Sequence, residues 1–212
     1  MHFLIGVAAA VGAGLAAWAT PRLTTRWIAI AAAPFLIVMA AGAVFGLRLY
    51  PASDVFVAAF SVLAGVALGR VMPPRFRPFL ILLAILAVID VAQNLAFTGP
   101  SPGAQATNVV PDPHLIWLNV RFPIPGGHFN IGFADVVLIT AAAENLRRRG
   151  ATLALSLLPG IIGISLGEAL LSTLPVNPPA YVLAVAASLV LFLTAGYVLT
   201  ELAVSQTATK TT

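Results

Sequence analysis

Long apolar runs follow one another along the chain, separated by short polar stretches that carry most of the arginines. Each run has about the 17 to 25 residues that a helix needs to cross the hydrocarbon core of a bilayer. The pattern predicts an all-α integral membrane protein with seven transmembrane helices, at residues 3–19, 27–47, 54–70, 78–97, 129–146, 151–172 and 179–203. We expect one polytopic domain over 1–212, in which 1–77 form the N-terminal helices and 205–212 a cytoplasmic tail.

Composition agrees with a membrane setting, since 60% of the residues are hydrophobic and 8% are charged. The absence of cysteine excludes disulfides and thiolate chemistry. The net charge of +4 comes from arginines spread over short loops, which excludes nucleic acid as the expected partner. Many alanines and arginines beside a single lysine favour a GC-rich prokaryote, so we expect a multi-pass protein of a prokaryotic cell membrane.

The basic residues alternate between rich and poor loops. The rich segments contain Arg22 and Arg26, then Arg70, Arg75 and Arg77, then Arg147 to Arg149, and finally Lys210; the poor loops contain Arg48 or Arg121 alone. By the positive-inside rule the N-terminus lies outside, the C-terminus is cytoplasmic and the long 98–128 loop is outside. The first segment has no basic stretch before Phe3, which favours a retained helix over a signal peptide.

Two aspartates, Asp90 and Asp135, fall inside predicted membrane helices. An intramembrane carboxylate is costly and therefore indicates a functional site. Each lies about six or seven residues from the outer end of its helix, or roughly 10 Å along the helix axis. Two carboxylates at matching depth on neighbouring antiparallel helices can share one proton and act as base and acid on a peptide bond. The alternative is a structural role for each, as a partner of a kinked or neighbouring helix.

Three short motifs occur in order around these acids: Ile89-Asp90, Gly132-Phe133-Ala134-Asp135 and Pro178-Pro179-Ala180-Tyr181. Their order and spacing resemble the presenilin and signal peptide peptidase family of intramembrane aspartyl proteases, including its smaller prokaryotic members. The resemblance covers about residues 78–200. The family has Tyr-Asp, Gly-x-Gly-Asp and Pro-Ala-Leu at these places, so Ile89, Ala134 and Tyr181 depart from it.

The resemblance implies a presenilin-like catalytic region at 78–204 that hydrolyses transmembrane peptides or membrane proteins. It implies catalytic roles for Asp90 and Asp135 and substrate contacts from Gly132, Phe133, Ala134, Pro178, Pro179 and Ala180. It implies no metal and no organic cofactor, and no zinc-protease His-Glu-x-x-His motif occurs. Placement of the 98–128 loop outside is similar to the signal peptide peptidase orientation, with substrates whose N-terminus is cytoplasmic.

A β-hairpin is predicted just before the fifth helix. Residues 115–122 are rich in β-branched and aromatic residues, and a turn from Pro123 to Gly127 precedes His128 to Ile131. An exposed strand edge there can pair with an extended substrate; the alternative is that the hairpin serves only as a lid.

Two other function classes stay open. A proton- or ion-coupled transporter would relay charge through Asp90, Asp135 and Glu168, and a catalytically silent relative would bind membrane peptides without cleaving them. Glu144 and Glu201 are interpreted as surface charges near helix ends. The pairs Gly42/Gly46, Gly65/Gly69 and Gly163/Gly167 are interpreted as small-residue helix contacts.

Overall fold

A computed structural model describes residues 2–20, 23–47, 49–96, 117, 119–124, 127–173 and 192–203. The described chain is mostly helical and carries one two-stranded antiparallel sheet. In chain order, its elements are α1 His2–Ala19, α2 Thr25–Phe45, α3 Ala52–Val71, α4 Phe76–Ala96, β1 Asn119–Ile124, β2 Gly127–Gly132, α5 Phe133–Arg148, α6 Leu153–Thr173 and α7 Phe192–Ala203.

Helices α1 to α4 and α6 begin and end within about two residues of the predicted apolar segments. The prediction of one helix over 129–146 was wrong at its start, because the chain is a β-strand up to Gly132 and α5 begins at Phe133. Of the predicted last helix, residues 192–203 form α7, while 179–191 lie outside the described residues.

Local chemistry explains the ends of α2. The hydroxyl of Thr24 accepts a hydrogen bond from the Trp27 backbone N–H, which satisfies one of the donors left free in a first helical turn. Gly46 ends the helix with φ 60°, a left-handed conformation that glycine adopts without strain. The prediction that Gly46 serves helix packing is therefore replaced by a C-capping role.

Helix α5 is the centre of the bundle, and it packs against α1, α3 and α6. Every side chain from Leu138 to Leu146 is buried, which covers all faces of the helix. Three of these side chains are polar: Thr140, Glu144 and Asn145. Where a helix is enclosed on every side, close packing requires small residues either on that helix or on the neighbouring helices that contact it.

Glycines of α3 allow the close approach to α5. A Cβ on Gly65 would lie 2.6 Å from both Thr140 Cβ and the Val137 carbonyl oxygen, and one on Gly69 would lie 2.8 Å from the Ala141 carbonyl oxygen. The two contacts progress in the same direction along both helices, so α3 and α5 run parallel. The predicted Gly65/Gly69 packing pair is confirmed.

Glu144 was expected at the surface, and that prediction was wrong. Its side chain is fully buried, with Arg70 Nε at 2.8 Å from Oε1 and Arg147 Nε at 2.8 Å from Oε2. Arg70 also donates to the carbonyls of Thr20 and Leu23, and so ties the α1–α2 connection to α5. The hydrogen bonds that Arg147 donates to Glu144 raise the pKa of the Arg147 guanidinium above its usual range.

Glu201 is also less exposed than expected. Its carboxylate pairs with Arg149, and the two side chains are 19% and 14% exposed. Close by, the Tyr197 hydroxyl donates to Asn145 Oδ1 at 2.7 Å, and Asn145 Nδ2 donates to the Pro73 carbonyl at 3.2 Å. The C-terminal ends of α3, α5 and α7 therefore meet in one polar layer.

Large apolar side chains cover much of the exterior. Ile37, Val44 and Phe45 on α2 are 67%, 70% and 73% exposed, and Val88 on α4 is 69% exposed. So many large apolar side chains on the described exterior are unusual for a water-soluble bundle. Helices α2 and α3 are each long and apolar enough to cross a membrane.

Substituting Gly65 by alanine tests the α3–α5 contact. We expect Gly65→Ala to destabilise the protein by about 1–3 kcal/mol, because the added methyl meets Thr140 and the backbone of Val137. Thermal unfolding in detergent measures the effect. Gly12→Ala in α1 is the matched control, since a Cβ there meets nothing within 4 Å; equal effects of the two substitutions would contradict the packing argument.

Candidate active site

The β-hairpin leads directly into α5, and this confirms the hairpin predicted from the sequence. Its strands pair antiparallel from Asn119↔Gly132 to Ile124↔Gly127. Val120 and Ile131 are partners in this register, and both are buried, at 7% and 5% exposure. One face of the hairpin is thus part of the hydrophobic core, which fixes the register of the strands.

Asp135 lies in the first turn of α5, three residues after the end of β2. Its Oδ2 accepts a hydrogen bond from the Gly132 backbone N–H at 3.1 Å, and its side chain is half-buried. The positive end of the helix dipole lies at this turn. Both features stabilise a negative charge on Asp135.

The three residues before Asp135 have different environments. Gly132 is extended at φ −61° and ψ 144°, and a Cβ on it would lie 2.8 Å from Asp135 Oδ2. Phe133 is half-buried against the hydrophobic core, whereas Ala134 is exposed. Of these three residues, Ala134 is the one whose side chain is exposed, and Gly132 provides the space that the carboxylate occupies.

Asp135 is closer to its helix start than the sequence predicted. Because α5 begins at Phe133, the carboxylate follows the start by two residues, or about 3 Å of helical rise, instead of six residues. Asp90 lies six residues, or about 9 Å, before the end of α4 at Ala96. The prediction that the two acids lie equally far from the ends of their helices was therefore wrong.

Asp90 belongs to the described backbone of α4, and its side chain lies outside the described part. Position 90 continues the series Phe79, Leu83 and Leu86, whose spacings of four and three residues define one helix face. Phe79 and Leu83 are fully buried, and Leu86 packs against the core. Ile81, Ile85 and Val88 lie on the exposed face of α4. By helical spacing alone, position 90 belongs to the same row as Phe79 and Leu83.

Tyr197 gives a common reference for the two helices. The Phe79 ring of α4 packs on the Tyr197 ring at 4.8 Å between centroids, and the Tyr197 hydroxyl bonds to Asn145 of α5. Along α4, position 90 is eleven residues beyond Phe79, or about 16.5 Å. Along α5, Asp135 is ten residues before Asn145, or about 15 Å. The two acidic positions are therefore displaced from Tyr197 by nearly equal lengths of helix.

The remaining predicted site residues are not among those that the structure describes. Pro178, Pro179 and Ala180 lie outside the described residues, as does the side chain of Glu168. Within the described ranges, no group of three or more His, Cys, Asp or Glu residues is arranged to hold a metal ion. Ser165, in a Gly-x-Ser-x-Gly string, lies inside α6, which is not the strand-to-helix turn that a nucleophile elbow requires.

Sequence reasoning missed a second ion pair beside the hairpin. Arg121 Nε of β1 lies 3.0 Å from Asp54 Oδ1 of α3, and Arg121 Nη2 donates to Ser53 Oγ at 2.9 Å. The side chains of Arg121 and Asp54 are 8% and 11% exposed. The sequence did contain a signal for this pair. Asp54 and Arg121, the lone arginine of the connection between the fourth and fifth predicted helices, were both predicted on the outer side of the membrane.

No family model, no curated protein and no solved structure matches the chain.

Proposed function

We propose that the protein is a multi-pass intramembrane aspartyl protease of the presenilin and signal peptide peptidase type. Asp90 and Asp135 form its catalytic pair, and its substrates are transmembrane peptides or membrane proteins. The observation that carries this proposal is the placement of Asp135. Its carboxylate lies at the junction of a strand and the central helix, bonded to the Gly132 N–H. Position 90 continues the helical spacing of Phe79 and Leu83, and it follows Phe79 by about the same length of helix as separates Asp135 from Asn145.

The environment of Asp135 suits the base of such a pair. Its negative charge is stabilised by the Gly132 N–H and the start of α5, so Asp135 takes the proton from the attacking water. Asp90 begins protonated and donates its proton to the carbonyl oxygen as the water oxygen bonds to the carbonyl carbon. In the collapse of the tetrahedral intermediate the C–N bond breaks, Asp135 returns its proton to the leaving amine, and Asp90 regains the hydroxyl proton.

Seven membrane crossings account for the exterior of the protein. Helices α2 and α3 qualify by length and hydropathy, and shorter apolar helices cover 4–19, 76–86, 153–167 and 192–203. The seventh crossing is α5, whose residues 138–146 are enclosed by its neighbours. The exposed apolar side chains of α2 and α4 then face lipid. The arginine-rich polar layer around Glu144 lies at the cytoplasmic side, and the hairpin lies outside.

Ion relay is the less favoured use of the buried acids. Glu144 is bound by Arg70 and Arg147, and Asp54 by Arg121. Each of these carboxylates is held in place by an arginine side chain on the described part of the chain. Glu144 and Asp54 are therefore structural acids, and an ion relay would have to use Asp90, Asp135 and Glu168.

Removing either aspartate tests the catalytic pair. We expect the purified protein in lipid to cleave a labelled transmembrane peptide, and Asp90→Asn and Asp135→Asn each to lower the rate by about 10²-fold or more, because each removes one proton-transfer group. Mass spectrometry of the products measures cleavage.

Asp112→Asn, which changes an acid of the 98–128 loop, is the matched control and should retain full activity. Activity that survives in either catalytic variant would contradict the assignment. If the wild type cleaves no substrate from acidic to neutral pH but carries protons across liposomes, transport replaces proteolysis.

Gly132 is a second test of the same site. Gly132→Ala places a methyl 2.8 Å from Asp135 Oδ2 and so displaces the carboxylate. We expect kcat to fall by about 10-fold or more with little change in KM, since small displacements of catalytic groups are costly. The control is Ala134→Gly, which removes an exposed methyl and restores the family pattern; it should keep or raise activity. An unaffected kcat in Gly132→Ala would contradict the geometry.

The lack of native cysteine allows a direct test of topology. A membrane-impermeant thiol reagent should label Ser101→Cys in intact cells and Arg75→Cys only after permeabilisation, because the 98–128 loop is outside and the α3–α4 connection is cytoplasmic. Labelling of both sites in intact cells, or the reverse pattern, would contradict the orientation. Cleavage restricted to substrates with an outside N-terminus would contradict the expectation that the N-terminus of the substrate is cytoplasmic.

A further inference from the structure

Two side chains attach the hairpin to the loop between α2 and α3. The first is Trp117, two residues before β1, which is fully buried. Its Nε1 donates to the Leu47 carbonyl at 2.9 Å, and its ring fills the space beside Gly42 of α2, where a Cβ would lie 2.0 Å from Trp117 Cε2. The indole is thus held both by shape and by a hydrogen bond.

The second side chain is Arg121 in the middle of β1. It binds Asp54 and Ser53 at the start of α3, and its guanidinium carbon lies 4.4 Å from the centre of the Tyr50 ring. Arginine presents donors in a fixed planar fork and stacks on aromatic faces, so this site uses properties that lysine lacks. We call the contacts of Trp117 and Arg121 the hairpin anchor.

The anchor is connected to Asp135 through the strand ladder. Arg121 pairs with Asn130 across the hairpin, and the next two pairs lead to Gly132. Gly132 donates to Asp135 Oδ2, and α5 begins at the following residue. A displacement of β1 therefore moves β2 and the N–H that holds the carboxylate.

We propose that the hairpin anchor positions both Asp135 and the strand edge that receives substrate, and that Arg121 is a positioning residue for peptide-bond hydrolysis. This inference rests on the proposed function. Helices α2 and α3, which lie outside the region of family resemblance, thereby control the catalytic geometry. The anchor adds one ion pair and one indole to the core contacts that Val120 and Ile131 make for the hairpin.

Fluorescence quenching and hydrogen exchange can test the hairpin anchor without an assay of proteolysis. Replacing Trp18 and Trp27 by Phe leaves Trp117 as the sole tryptophan. In this background, we expect Arg121→Ala to increase acrylamide quenching of Trp117 and to raise the hydrogen-exchange rate of the hairpin amides at least tenfold. Arg75→Ala, which removes an exposed arginine of the α3–α4 connection, should change neither signal. Unchanged quenching and exchange in Arg121→Ala would overturn the anchor, whatever the protein catalyses.

Kinetics then test positioning. Arg121→Ala and Asp54→Ala should each lower kcat for a transmembrane peptide by about 10-fold or more, with a smaller change in KM. Arg121→Lys should recover only part of kcat, because it keeps the charge but loses the two-pronged contact with Asp54 and Ser53. The double variant Asp54→Arg with Arg121→Asp, in which the two charges are exchanged, should have a higher kcat than either single variant.

The possible failures are distinguishable. If the wild type cleaves nothing, the proposed function fails, while the quenching and exchange data still decide whether the anchor exists. If Arg121→Ala loosens the hairpin but keeps the wild-type kcat, the positioning role is overturned and the catalytic pair is unaffected.

Discussion

Burial of α5 on all faces from Leu138 to Leu146 is the constraint on which the rest of the structure depends. A helix buried on all faces cannot tolerate large neighbours at close approach, and α3 meets it with Gly65 and Gly69. Enclosure also means that a polar side chain on α5 must find its partner inside the protein. Glu144 is matched by Arg70 and Arg147, and Asn145 by Tyr197 and the Pro73 carbonyl.

These partners give the two ends of α5 different properties. At its C-terminal end, charged and polar groups from α3 and α7 lock the helix into the bundle. At its N-terminal end, the helix is joined to a hairpin, and Asp135 lies half-buried between them. A carboxylate that acts as a catalyst must be held in a precise position by the elements that carry it. The locked C-terminal end of α5 gives Asp135, at the opposite end, such a rigid support.

The proposed chemistry follows from this asymmetry. The Gly132 N–H and the first turn of α5 stabilise the charge of Asp135, and the hairpin brings an extended backbone beside it. Hydrolysis of a peptide bond requires such an extended segment, which a substrate helix provides only after local unwinding. The hairpin is held in turn by Trp117 and Arg121, so the site draws on α2 and α3 as well as on the two helices that carry the aspartates.

Much of the architecture followed from the sequence alone, because apolar runs of bilayer length and a β-branched segment followed by a turn are local signals. They placed α1 to α4 and α6, the hairpin, and the Gly65/Gly69 contact. The sequence also singled out Asp90 and Asp135, since an acid is conspicuous within an apolar run.

The sequence did not locate the start of α5, because Phe129 to Ile131 suit a strand or a helix equally well, and only pairing with β1 selects the strand. Nor did it find Glu144 buried or Arg121 paired with Asp54. Their partners are 74 and 67 residues away along the chain, and only tertiary packing brings such distant charges together.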